Sequence, residues 1–350
     1  MFRGGNMQGL RKGPWRRITP VFGQIIQFLR NVQAIKIQYL FSSGKIAWRD
    51  YHTQGGIETL LKADYHLHSH FSDDCGESIE RIYMRALELG LVEIAITDHL
   101  DPDFPRKDNL FDLDFPAYIE KMMGYRDKWS DLLDLKIGLE IGLQPHLVQR
   151  LQPVIDHPSL DFIIGSLHCT DNTEFFDGSF FRGRSKDKAH RTYFQAIYEN
   201  LSVFHGLSVL GHLDFVRRYG REQYGDDHSQ INYSLHMDLI DEILRLAIDK
   251  GIGLEVNTSG YRKGLGNPHP DKAILSRYRH LGGEIITLGS DAHKAEDLAE
   301  DFDLALEMIE KIGFKYLCGF KQKKPVFYPL EKETVSRSIS FCSSGRVSVI

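Results

Sequence analysis

Three histidines and two aspartates fall between residues 66 and 74 of the segment KADYHLHSHFSDD (62–74), just after a short apolar run. Imidazole and carboxylate are the groups that bind Zn²⁺, Mn²⁺ and Fe²⁺. His66 and His68 are two residues apart, so an extended strand turns both rings to one side, where they can grip a single cation. Alone, such a pair is weak evidence, because histidines also cluster by chance. Its weight depends on whether similar residues recur where a fold can gather them.

They do recur. Asp98 and His99 follow the run VEIAIT (92–97), and Glu140 lies near the end of LKIGLEI (135–141). His168 follows DFIIGS (161–166), and His212 closes LSVLGH (207–212). Asn257 follows IGLEV (252–256), and Asp291 and His293 follow EIITLGS (284–290). With ADYHL (63–67) and KYLCGF (315–320) these are β-type runs, and helical periodicity fills the gaps between them. SIERIYMRALELG places Ile79, Ile82, Leu87 and Leu89 at apolar positions, with Gly90 as a stop. HMDLIDEILRLAIDKG does the same with Leu239, Ile240, Ile243, Leu244 and Ala247, and DLALEMIEKIG runs to Gly313.

Such alternation calls for parallel strands with crossover helices, and seven or eight units suggest a closed or nearly closed barrel. A doubly wound open sheet is the alternative. In a parallel barrel all strand C-termini share one face, so residues far apart in sequence converge on one mouth. Six imidazoles (His66, His68, His99, His168, His212, His293) with two or three carboxylates exceed one tetrahedral site. They suit two or three Zn²⁺, Mn²⁺ or Fe²⁺ ions, the arrangement used for in-line attack on a phosphate ester. The other histidines, among them His190, His236 and His269, lack this placement and are expected to be structural or surface residues. Cys169, beside His168, is expected to be a packed thiol.

The bulk composition bounds the rest. The chain has 350 residues, 42% hydrophobic and 26% charged, as a globular protein does. Residues 1–50 carry nine Lys/Arg and one acid, so the remaining 300 hold 34 bases against 47 acids, a balance of −13. An acidic core is a poor match for a nucleic-acid backbone, so no nucleic-acid partner is expected. Four cysteines without a CxxC pair argue against a disulfide framework and fit a reducing, cytoplasmic setting. The longest apolar run, ITPVFGQIIQFL, has twelve residues and stops at Arg30, short of a membrane span, so no stable membrane association is expected. Residues 1–60 read as a basic, poorly ordered N-terminal extension, 61–330 as the catalytic domain and 331–350 as a Ser-rich tail.

These motifs, in this order, resemble the PHP (polymerase and histidinol phosphatase) superfamily across residues 62–330. RSKDKAHRTYFQAIYENL, VLGHLDFVRRYG and EVNTSGYRKGLGNPHP are similar to its monofunctional histidinol phosphatases. The resemblance implies a distorted (βα)7 TIM-like barrel with a trinuclear metal centre. It implies a first ion held by His66, His68, Glu140 and Asp291, and a second by Glu140, His168 and His212. A third would be held by His99, His293 and an aspartate of SDD, with spacing favouring Asp74 over Asp73. The activity implied is hydrolysis of L-histidinol phosphate, a small-molecule phosphate monoester, in histidine biosynthesis. A hydroxide bridging two metals would attack phosphorus, with Asp291 and Asp98 in the catalytic group. Asp98 could orient a ligand or donate a proton, and the sequence does not choose. Arg262 and Arg217 are the expected phosphate binders, with Arg218, Arg182 and Lys263 as substitutes. Two other functions keep the same site: a phosphoesterase for another monoester or a nucleic-acid end, and a catalytically silent metal-binding module.

Overall fold

The computed structural model of the chain describes residues 61–105 and 112–330; the expected N-terminal extension and the Ser-rich tail lie outside the described residues. The strands are β1 (Ala63–Leu67), β2 (Glu93–Ile96), β3 (His99–Leu100), β4 (Asp134–Gly142), β5 (Phe162–Ser166) and β6 (Cys169–Thr170). They continue with β7 (Thr173–Glu174), β8 (Val209–Leu210), β9 (Gly253–Asn257), β10 (Ile286–Gly289), β11 (Tyr316–Lys321) and β12 (Lys324–Pro329). Among the described residues, seven strands pair in parallel in the order β1-β2-β4-β5-β8-β9-β10, with β3 added alongside β4. A parallel bridge between Leu67 and Ala292 links the two ends of this order, so the barrel is nearly closed. The expected seven-unit barrel is what forms.

The eighth β-type run behaves differently. β11 pairs antiparallel with β12 as a hairpin outside the parallel order. Its Cys318 and Phe320 pack with Ala63, Tyr65, Ala95, Phe162, Ile164 and Val209, an apolar cluster that uses residues from β1, β2, β5 and β8. The Phe320 N–H donates to the Tyr65 hydroxyl at 2.6 Å, which satisfies a backbone donor at this seam.

Helices cover the outside, and their ends follow local chemistry. The helix Ile79–Glu88 begins where the Ser78 side chain accepts the Arg81 N–H, and it stops before Gly90, whose φ of 69° an L side chain rarely adopts. It buries Ile79, Ile82, Tyr83 and Ala86, while Leu89 stays 37% exposed. Each fully buried residue of this size stabilises by roughly 1.5–3 kcal/mol, so Ile82→Ala would loosen this helix most directly. The helix Tyr233–Asp249 buries the expected Leu239, Ile240, Ile243, Leu244 and Ala247, and also His236. Among the described residues no helix is long and apolar enough to cross a membrane.

One irregularity in β1 matters for the site. Ala63 and Asp64 pair with Glu93 and Ile94, but Leu67 pairs with Ile96, so the register slips by a residue in between: a β-bulge. Tyr65 turns towards Phe162, with ring centroids 4.8 Å apart. The next residue, His66, instead faces Glu140 and Glu255.

Candidate metal centre

The C-terminal ends of β1, β4, β5 and β8, with β3 and the loops after β1 and β10, bring the ligand-type residues together. His66 Nε2 lies 3.1 Å from Glu140 Oε2, 3.0 Å from His68 Nε2 and 3.8 Å from Asp291 Oδ1. His68 Nε2 is 3.5 Å from the same Asp291 oxygen. The other Glu140 oxygen, Oε1, lies 2.9 Å from His212 Nε2 and 3.3 Å from His168 Nε2. Asp74 Oδ2 lies 3.2 Å from His293 Nε2 and 3.7 Å from His99 Nε2. All nine expected ligands therefore meet in one cluster, with Glu140 between the first two groups. His99 is also shared, since its Nδ1 stands 3.3 Å from Glu140 Oε2.

Do these residues fit cations? A metal-ligating imidazole is oriented when its second nitrogen is tied down, so that the other lone pair points at the ion. His66 Nδ1 meets Glu255 at 2.5 Å, His168 Nδ1 meets Asp101 Oδ2 at 2.6 Å, and His68 Nδ1 meets Ser72 Oγ at 3.1 Å. In each case Nε2 is the nitrogen left facing the cluster. Groups of three donor atoms lie within 4.8 Å of one another in His66/His68/Asp291, in His99/Glu140/His168 and in His68/His99/His293. A mixed nitrogen and oxygen donor set of this kind suits Zn²⁺, Mn²⁺ or Fe²⁺.

Electrostatics point the same way. Burial alone would push His66 down, but Glu255, Glu140 and Asp291 outweigh it and raise its pKa well above the ordinary value. Burial likewise opposes ionisation of Glu140, yet His66, His168 and His99 hold it well below the usual carboxylate range. Asp291 is lowered for the same reason, chiefly by His66 against the cost of burial. His99 goes the other way, pushed down to about 4 by burial and by the neighbouring His68. Carboxylates and imidazoles this close stabilise positive charge between them, whether proton or metal cation.

Backbone conformation supports the cluster. His212 has φ of 23° and Asp291 φ of 54°, values uncommon for residues with a side chain and concentrated at functional sites. The second Asp291 oxygen accepts from Ser259 Oγ at 3.2 Å and Asn257 Nδ2 at 3.4 Å, which leaves Oδ1 for His66 and His68.

The remaining expected residues are placed as follows. Asp98 is fully buried and accepts from the Ser69 N–H at 2.6 Å, Ser69 Oγ at 2.7 Å and Ser72 Oγ at 2.7 Å. It reaches His68 only through Ser72. Arg217 is 3% exposed and donates to Asp214 Oδ2 at 2.9 Å, with Asp271 Oδ2 3.5 Å away, so its charge is committed inward. Arg262 Nη2 donates to the Ser290 carbonyl at 2.7 Å, while its Nη1 is buried without a hydrogen-bond partner. The ammonium pKa of Lys263 is lowered first by Arg218, then by burial and Arg262, so three cations crowd one part of the rim. Arg218 also lies over the rings of Phe215 and Tyr219. Arg182 is exposed and turns towards Asp177. Cys169 packs on Phe104 as a thiol.

Sequence reasoning missed Asp101, Glu255, Ser72 and Ser166, which hold the ligands from behind; Ser166 Oγ donates to Glu140 Oε1 at 2.7 Å. For Glu255 a signal existed, an acid in the middle of an apolar strand. His269, expected to be a structural or surface residue, is fully buried and hydrogen-bonded through Nδ1 to Asp214.

Known proteins resemble this chain. The sequence pattern of the PHP domain matches residues 64–259. A histidinol-phosphatase of Lactococcus lactis subsp. lactis is 34% identical over 269 residues, covering 76% of this chain and 96% of that protein. A histidinol-phosphatase of Bacillus subtilis is 25% identical over 274 residues, covering 71% and 99% respectively. The crystal structure of histidinol phosphate phosphatase from Lactococcus lactis subsp. lactis, complexed with zinc, L-histidinol and phosphate, superposes with a TM-score of 0.69 at 33% identity. That alignment covers 77% of this chain and 100% of the other. The family match spans His66, His68, Glu140, His168 and His212, and the chain belongs to the PHP domain family, among its histidinol-phosphatases.

Proposed function

We propose that the chain hydrolyses L-histidinol phosphate to L-histidinol and phosphate, the penultimate step of histidine biosynthesis. The observation that carries this reading is Glu140, whose two oxygens face His66 on one side and His212 on the other, among imidazoles of which His66, His68, His168 and His293 are tethered through Nδ1. Two or three divalent ions, Zn²⁺, Mn²⁺ or Fe²⁺, fit this ring. His66, His68, Glu140 and Asp291 would hold the first, Glu140, His168 and His212 the second, and Asp74, His99 and His293 the third. Bound there, the ions supply the positive charge that acidifies a water and neutralises phosphoryl oxygens.

The chain's own residues do the rest. Asp291, its Oδ2 held by Ser259 and Asn257, would present Oδ1 to the first ion beside the attacking water. Arg262, with its unpartnered Nη1, receives the phosphoryl group together with Lys263 and Arg218. Arg217, expected to bind phosphate, would instead hold Asp214 and Asp271. Asp98 acts as a positioning residue, ordering Ser69 and Ser72 and through Ser72 the ring of His68. The partner is a small molecule, and the net acidity of the core disfavours a long polyanion. The thiols of Cys75, Cys169 and Cys318 are free and buried, in keeping with a cytoplasmic location.

The test is phosphate release from L-histidinol phosphate, with and without chelator, beside a panel of other phosphate monoesters. Chelator-sensitive preference for histidinol phosphate supports the reading. Activity spread evenly over the panel would overturn the substrate, and metal content without activity would leave a silent metal-binding module.

A further inference from the structure

Glu255 sits mid-strand in β9, 1% exposed, and belongs to none of the proposed ligand sets. Its Oε1 lies 2.5 Å from His66 Nδ1. Its Oε2 accepts the backbone N–H of His212 at 2.8 Å and the Asn257 amide at 3.2 Å. One carboxylate thus touches a ring on β1 and the backbone just after β8.

The surrounding chain is cut to admit it. A Cβ at Gly289 would stand 2.4 Å from Glu255 Oε1 and 2.6 Å from His66 Cβ. A Cβ at Gly211 would stand 3.5 Å from Glu255 Oε2 and only 2.3 Å from Ser166 Oγ. Glycine at both positions lets the carboxylate lie flat between two ligand-bearing segments.

We propose that Glu255 is a positioning residue that couples the first two metal positions through a single carboxylate. By accepting the Nδ1–H of His66 it keeps that ring's Nε2 lone pair turned towards Glu140 and His68. By accepting the His212 N–H it braces a backbone at φ of 23°, which aims His212 Nε2 at Glu140 Oε1. Both partners are donors, so two acceptor oxygens are required. An amide supplies one acceptor oxygen and an NH₂ that opposes the second donor. Glu255→Gln, nearly unchanged in shape, is therefore the sharp substitution. The inference rests on the metal assignment proposed above.

The experiment compares the full chain with E255Q and Glu255→Asp, each loaded with zinc and dialysed against graded chelator. Zinc per chain and the far-ultraviolet dichroism melt are read together. E255Q is expected to release zinc at a chelator concentration about 10- to 100-fold lower than the parent, while remaining folded. Glu255→Asp, which keeps both acceptors at shorter reach, is expected to fall between. Zinc retention by folded E255Q equal to the parent overturns the role of Glu255 and leaves the metal assignment standing. A parent chain that binds no zinc, manganese or iron overturns both. Should E255Q fail to fold, zinc retention by folded Glu255→Asp decides. Release at a lower chelator concentration than the parent supports the proposal, and release at the same concentration overturns it.

Discussion

His168 and Asp101 are joined behind the metal centre, with His168 Nδ1 2.6 Å from Asp101 Oδ2 and both side chains buried. The contact fixes the ring so that Nε2 faces Glu140 Oε1 and His212 Nε2, each at 3.3 Å. Asp101→Ala removes the acceptor and frees the ring. Turnover of L-histidinol phosphate is expected to fall by about 10- to 100-fold with the fold retained. Unchanged turnover and unchanged metal content would remove Asp101 from the site.

Metal removal should act on stability as well as activity. A ligand that binds only the folded chain adds about 2.7 kcal/mol when present at 100 times its dissociation constant. Chelation is therefore expected to abolish phosphate release and lower the melting midpoint, with both restored by zinc or manganese. Scanning calorimetry before and after chelation checks this, and identical melts would argue against ions in the cluster.

The two arginines first expected to bind phosphate should separate cleanly. Arg262→Ala removes a partner for the phosphoryl group together with the contacts to Glu300 and the Ser290 carbonyl, so kcat/KM is expected to fall roughly 10- to 100-fold, mainly through KM. Arg217→Ala instead leaves the buried Asp214 and the half-buried Asp271 beside each other without their arginine. Removing one partner of a buried ion pair costs about 3–5 kcal/mol, so this variant is expected to unfold early in urea. A stable Arg217→Ala with raised KM would place Arg217 on the substrate.

A separate pH dependence comes from the His190–His236 pair, on the helices Lys186–Val203 and Tyr233–Asp249, with ring centroids 6.1 Å apart. Burial, then His236, pushes His190 down from 6.5 to about 4, and burial lowers His236 too. The unfolded chain binds more protons than the folded one between these values, so stability is complete above about pH 6.5 and falls as pH drops towards 4. For His190 alone the loss is on the order of 3 kcal/mol. Urea midpoints of the parent and His190→Gln across this window check it; equal slopes would show that His190 contributes nothing.

Much of this molecule could be read in advance, for a physical reason. A parallel barrel sends every strand end to one face, so His66, Glu140, His168 and His212 announced themselves by following apolar runs. What stayed hidden depends on pairing rather than on pattern. KYLCGF has the composition of a barrel strand, and nothing in it reveals that its partner is the following strand Lys324–Pro329. Arg217 stands where a phosphate binder could stand, yet its charge is taken by Asp214 and Asp271, the latter on a distant turn. Glu255 was visible only as an acid in the run IGLEV, and its contacts to His66 and His212 need the closed barrel. His190 and His236 were expected to be structural or surface residues, and the structure buries both between helices.

The bulge in β1 makes the length of that strand a sharper constraint than its composition. An unbroken pleat gives odd and even positions opposite faces, so a strand carrying Tyr65 inward would carry His66 outward. The slip between Asp64 and Leu67 changes the phase by one residue, and the strand passes from its hydrocarbon half to its charged half in a single step. Conservative exchanges at Ala63 or Leu67 leave that phase alone. Deleting one residue from the slipped segment would restore even pairing and swing both imidazoles of the His-x-His pair into the oily layer beneath the helices. An alignment of the composition would barely register the change, while the metal centre would lose two ligands at once.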